Sequence, residues 1–189
     1  MCLICGCGEG GRTPREISLR NPEAPDPDEL VLRSVEDALA TAERWIGWSG
    51  GALFSLGNAW TPHKALRRIT DHLIDHLNQV ECRAAGVAPV PDAWRGRAAT
   101  LASDWAAFTE DELNEASARL RRLAQTTAGR LLALRDEWDR DPGGGEWTLR
   151  AIATHLAEAS ATYASRAPTV PVAPPPAQPK ELQSTGSDT

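Results

Sequence analysis

Lysine is nearly missing from this chain. Of its 20 basic residues only Lys64 and Lys180 are Lys, and the rest are Arg. Together with the many Ala, that reads as the coding bias of a GC-rich genome and not as an Arg-built site. Basic charge is not in excess either: 26 acidic residues leave a net charge of -6, which speaks against a long phosphate backbone as partner of the whole surface. There is no uncharged apolar run of about 18 residues, so no membrane span is expected. No basic segment followed by an apolar one opens the chain, so no secretory signal and a cytoplasmic location are expected. Besides seven Trp, the aromatics are only Phe54, Phe108 and Tyr163. None of the Trp forms a stacking series with basic residues, which speaks against nucleic acid. Val, Ile and Thr nowhere alternate over a strand's length, and Gly and Pro gather between Ala, Leu, Arg and Glu-rich stretches, which predicts an all-α protein. No Ser/His/Asp arrangement or pair of catalytic carboxylates at informative spacing is present, which argues against other hydrolase chemistry.

The 189 residues, 41% apolar, suit one or two domains. Residues 1–26 carry a Cys/Gly cluster and a Pro-Asp stretch and read as an irregular arm. Residues 167–189 are Pro-rich, with Pro174, Pro175 and Pro176 in a row, and read as an extended or disordered tail. Between them, residues 27–166 hold four helical segments. The first covers 28–45, with Leu32, Val35, Leu39 and Ala42 on one face. The second covers 62–85, with Thr61 as N-cap, Pro62 in the first turn, and Leu66, Ile69, Leu73, Leu77 and Val80 as its stripe. The third covers 110–140, with Leu113, Leu120, Leu131, Leu134 and Trp138. The fourth covers 148–166, with Thr148 as N-cap and Leu149, Ile152, Leu156 and Tyr163 inside. Trp45, Trp105 and Trp138 are expected in the core, and Trp94 over one end. Two short links and one long one, 86–109, predict a four-helix bundle of two antiparallel hairpins joined by a long crossover. The crossover would pass over the bundle end and leave the second and third helices parallel.

Four His occur: His63, His72, His76 and His155. His72 and His76 stand one turn apart on one helix face, a spacing at which two imidazoles can share a metal ion. At roughly 100° per residue, His76 lies roughly 50° and His72 roughly 90° from the centre of that helix's apolar stripe. His155 lies roughly 90° from the stripe of the fourth helix in the same rotational sense. Antiparallel neighbours bring such flanks together, so all three can meet at one edge of the core. Two readings stay open: a metal site, or hydrogen-bonded edge residues. His63 reads as a surface residue of a first turn.

The stretch Glu146-Trp-Thr-Leu-Arg-Ala-Ile-Ala-Thr-His155-Leu-Ala-Glu158 resembles a helix of the DinB-like (damage-inducible) four-helix proteins, in which Trp-Ser/Thr precedes a metal-binding His. Leu66-Arg-Arg-Ile-Thr-Asp-His72-Leu-Ile-Asp-His76-Leu-Asn-Gln79 resembles that family's HxxxH helix. The order differs, because HxxxH comes first here, which implies a hairpin-swapped, circularly permuted arrangement over roughly residues 28–166. The resemblance implies a divalent metal, Zn or Ni, on His72, His76 and His155. It also implies a small-molecule substrate and use of a low-molecular-weight thiol such as mycothiol or bacillithiol by an S-transferase or isomerase. An open position on such an ion lowers the pKa of bound water or thiol. Asp71, Asp75 and Glu158 are candidates to orient the imidazoles, or else solvated helix-face charges. A homodimer is compatible with this reading.

Cys2, Cys5 and Cys7 form C-x-x-C-x-C, and Cys82 stands alone far away. Three thiols in six residues point to metal binding by the arm, with redox chemistry, an iron–sulfur cluster completed by Cys82, or no function as the alternatives. The opening Met-Cys-Leu-Ile-Cys-Gly-Cys resembles the N-terminus of the hydrogenase nickel-incorporation GTPases, which bind nickel there. The resemblance covers about eight residues, and no GxxxxGK[ST] follows. It implies, as the alternative function, a nickel- or zinc-handling or sensing protein.

Overall fold

The computed structural model describes residues 25–55, 57–89 and 99–170. Cys2, Cys5, Cys7 and Trp94, and the tail beyond residue 170, lie outside them. Among the described residues are four helices and one small two-stranded sheet.

Helix α1 spans Pro27–Ala42, with Pro27 in the first turn and Asp28 and Glu29 set against the positive end of the helix dipole. Its buried face is Val31, Val35, Ala38, Leu39 and Ala42. Leu32, expected inside, is 41% exposed. Both 31 and 32 stand within a turn of Val35, and the small Ala38 places the packing line through 31. A 3-10 turn, Glu43–Trp45, follows and buries Trp45 fully.

The all-α expectation needs one addition. Strands β1, Leu53–Ser55, and β2, Asn58–Trp60, pair antiparallel with Leu53 opposite Trp60. Gly57, at φ +74°, supplies the left-handed backbone of the tight turn. Three residues per strand are too few for alternation to be read. The sheet delivers Trp60 onto Tyr163, with rings stacked at 5.6 Å.

Helix α2 spans Pro62–Ala85, the bounds that its end signals predict. Thr61 Oγ1 accepts from the Lys64 amide at 3.2 Å, and Gly86 stops the helix at φ +69°. Helix α3 spans Glu110–Ala133 and opens on a reciprocal cap between Thr109 and Glu112. It ends earlier than the apolar pattern predicts. Leu134 leaves helical geometry, a 3-10 turn follows at Arg135–Glu137, and the Trp138 indole donates to Leu131 O at 2.7 Å. That bond satisfies a carbonyl at the helix end and tucks Trp138 into the core. Gly143, Gly144 and Gly145, all at positive φ, carry the chain to helix α4, Leu149–Arg166. Thr148 caps α4 through the Ala151 amide, and Leu149, Ile152, Leu156 and Tyr163 lie inside as expected. Trp105, expected in the core, is 43% exposed, because it closes the 3-10 turn Ala102–Trp105 on the surface.

Directions follow from the contacts. Helix α2 pairs His63 with Glu112 near its start and Glu81 with Arg130 near its end, so α2 and α3 run parallel. Arg68 meets Tyr163 and Arg83 meets Trp147, so α2 and α4 run antiparallel. Gly47 and Trp48 exchange backbone bonds with Phe108 across the end of α1 and the start of α3, so those two are antiparallel. Pro25 reaches Arg150 and Val170 reaches Arg44, so α1 and α4 are parallel. The main packings are α1 on α3 and α4, and α2 on α3 and α4. The chain-adjacent pairs α1/α2 and α3/α4 are not among them, in contrast to the two packed hairpins expected. Of the long link, residues 90–98, where the crossing over the bundle end is expected, lie outside the described residues. Its described ends lie at opposite ends of the molecule, the first beside the end of α2 and the second beside the start of α3. It arrives by docking on α2: Arg67 donates to Ala99 O and to both Asp104 carboxylate oxygens, and Lys64 Nζ donates to Thr100. Ala167 is buried and Val170 packs against the core, so the segment expected to be a tail begins as part of the fold.

Candidate metal centre

Helix α2 carries Arg68, His72 and His76 at successive four-residue steps, which places them on one stripe. Helix α4, running the other way, carries His155 and Tyr163 on the facing stripe. The stripe of α2 is turned toward α4. Leu77, expected inside, is only half-buried, while His72 and His76 are 1% and 2% exposed. His155 is 7% exposed. The three imidazoles are interior groups, where the helical offsets place them at an edge.

They converge. His72 Nε2 and His155 Nε2 stand 2.9 Å apart, and one ligand nitrogen from each of the three rings lies within 4.8 Å of the others. The ring of His76 is 4.7 Å from that of His72 and 5.2 Å from that of His155. His76 Nδ1 is 2.9 Å from Gln79 Oε1, and its Nε2 is buried without a hydrogen-bond partner. A carbonyl oxygen only accepts, so Nδ1 carries the proton and Nε2 presents its lone pair. Burial lowers the His76 pKa below its ordinary 6.5, against the opposing pull of Gln79 and Asp75. Burial, and then the charge of His76, lower that of His155 to about 4. Both rings are therefore neutral at pH 7, the state that a metal ligand requires.

Two aromatic rings wall the cluster. Trp147 lies 4.5 Å from the ring of His155 and stacks on His76 at 6.2 Å. Tyr163 meets His72 edge-on at 5.8 Å, and Arg68 lies over the Tyr163 ring at 5.2 Å.

Asp71 pairs with Arg67 at 3.8 Å on the half-exposed flank of α2. Asp75 acts on His76 through its charge. Glu158 is exposed on α4, and its backbone carbonyl accepts from Thr162. The group bonded to His76 is Gln79, which sequence reasoning did not single out. Its position three residues after His76, on the same helix face, was the available signal. His63 is half-buried and packs its ring edge-on against Phe108 at 5.2 Å, away from the other three. Cys82 is half-buried, with Sγ 3.5 Å from Asn78 Oδ1. No helix among the described residues is long and apolar enough to cross a membrane.

A three-imidazole set fits a borderline divalent ion such as Zn or Ni. Two nitrogens bound to one ion at about 2.0–2.1 Å stand about 3.3 Å apart at the tetrahedral angle and about 2.9 Å apart at a right angle. The 2.9 Å between His72 and His155 lies near the second value. Among the described residues no Cys or carboxylate joins the cluster, so three protein ligands leave positions open. No protein-family profile, curated protein or solved structure matches the chain.

Proposed function

We propose that the chain is a DinB-like four-helix bundle, with its two helical pairs in exchanged order. On this reading it holds one divalent metal ion on His72, His76 and His155 and acts as a thiol-dependent S-transferase or isomerase. The observation that carries the proposal is the meeting of three buried imidazoles from two antiparallel helices. An ion bound there supplies Lewis acidity that makes a thiolate or hydroxide available near neutral pH. The protein's own part is to hold the ligands and exclude water. Thr148 and Thr61 fix the helix starts from which the ligands are counted, and Trp147 and Tyr163 close two sides of the cluster.

The test uses the full-length chain with Cys2, Cys5 and Cys7 replaced by Ser, so that only the imidazole site counts. Metal analysis after loading with Zn or Ni should give one equivalent, lost in His155→Ala while the helical circular dichroism is kept. A parent that takes up no metal, or a His155→Ala variant that keeps it, would sink the site. With Co(II) loaded, a small thiol should add a sulfur-to-metal charge-transfer band. A bound ion that gives no such band would remove the thiol chemistry and leave a metal-binding protein.

A further inference from the structure

We infer that Gln79 is the positioning residue that keeps the proton of His76 on Nδ1 and leaves bare the nitrogen that faces the other two imidazoles, and that Glu146 holds Gln79 in that orientation. The inference rests on the metal reading only for what His76 Nε2 meets.

An imidazole can carry its proton on either nitrogen, and only the bare one can bind an ion. His76 Nδ1 faces Gln79 Oε1 at 2.9 Å, which stabilises the tautomer with Nδ1 protonated. Gln79 could give that answer or its opposite, because an amide has a donor end and an acceptor end of nearly the same shape. Turned over, it would offer N–H to Nδ1 and place the proton on Nε2, at the face where an ion would bind. Glu146 decides between the two. Gln79 Nε2 donates to Glu146 Oε2 at 3.2 Å, and a carboxylate only accepts, so the turned amide would set one oxygen against another. Arg83 stands 4.0 Å from the same carboxylate oxygen and donates to Trp147 O at 2.6 Å. The relay and the Trp147 wall thus converge on one ring from adjacent residues of the loop before α4. An amide acceptor orients His76 without adding a negative charge to its buried side.

The experiment compares four full-length chains in the Cys2, Cys5 and Cys7 to Ser background: the parent, Gln79→Leu, Gln79→Glu, and Gln79→Glu with Glu146→Gln. The last exchanges the two ends of the relay and again offers His76 Nδ1 an acceptor and that acceptor a donor. Long-range proton–nitrogen NMR of the metal-free proteins reads the tautomer directly. The parent and the exchanged pair should show His76 protonated at Nδ1, and Gln79→Leu should show a mixture. Co(II) affinity, read by competition with a chromophoric chelator, should fall about 10–100-fold in Gln79→Leu and return to within about threefold of the parent in the exchanged pair. Gln79→Glu alone, facing Glu146, should lie between. The inference is overturned if Gln79→Leu keeps the parent's single tautomer, or if the parent binds Co(II) and the exchanged pair binds it no better than Gln79→Leu. A parent with the expected tautomer response but no Co(II) binding would support the relay and reject the metal reading, so the two failures are separable.

Discussion

His155 illustrates what a buried imidazole does to the molecule's acid tolerance. Its folded pKa is held to about 4, against an ordinary value of 6.5, by burial and by His76. Between those values the unfolded chain takes up a proton that the folded chain does not, so folding is weakened as pH falls through that window. His76, lowered by burial, acts in the same sense. We predict that the metal-free protein loses stability between about pH 6.5 and pH 4, and that His155→Leu flattens the slope, as read by urea unfolding at several pH values. An unchanged slope in His155→Leu would reject the assignment. Binding of an ion to the folded state alone should also raise the melting temperature in a metal-dependent way, reversed by a chelator. At this scale the sequence was informative about identity and less so about depth. The helical offsets brought His72, His76 and His155 together, but an offset measured from Leu66, Leu73 and Leu77 treats those leucines as the centre of burial. Tertiary packing on α4 buries the imidazole side along with Leu66 and Leu73, and leaves Leu77 half-buried.

Helix ends set the register of each clustered imidazole, so their caps carry testable weight. Thr148 is buried and caps α4 through the Ala151 amide. We predict that Thr148→Ala costs about 1 kcal/mol in denaturant unfolding. It should weaken metal binding in the same protein, because α4 carries His155. Gly86 ends α2 at φ +69° with open space where a Cβ would stand, so only backbone strain opposes substitution. Gly86→Ala should therefore cost about 1 kcal/mol, read by the same unfolding curves. A neutral result would mean that the last turn of α2 rearranges. Where local chemistry marks an end, the sequence shows it: Thr61, Pro62 and Gly86 frame α2, and Thr109 with Glu112 opens α3. The early stop of α3 was hidden because its cause is a tertiary bond, from the Trp138 indole back to Leu131, which follows no helical period. The paired strands were hidden by their brevity.

The chain that leads into α3 is tied to the first turns of α2. Asp104 is buried and accepts from Arg67 at 3.1 and 2.6 Å, and also from the Leu101 amide at 2.8 Å. We predict that Asp104→Ala destabilises the fold by about 2–3 kcal/mol in urea unfolding, since it strands part of a charged pair and an amide at once. A change under about 0.5 kcal/mol would show that the segment before α3 is not held there. The parallel course of α2 and α3 agrees with what one long link between short ones implies, whereas the packing of chain-adjacent helices does not, because link length limits reach without choosing neighbours. The same directions place Pro25 beside Arg150 and Val170 beside Arg44, at opposite poles of the molecule. Any splice that closes the chain from 170 back to 25 must therefore stretch from pole to pole. A helix of 18 residues such as α4 is about 27 Å long, and an extended strap covers about 3.3 Å per residue, so roughly eight residues are the least that could make the join. Genetic reshuffling of this architecture obeys a minimum strap length, and a ring built with a shorter one would have to unseat α1 or α4 to close.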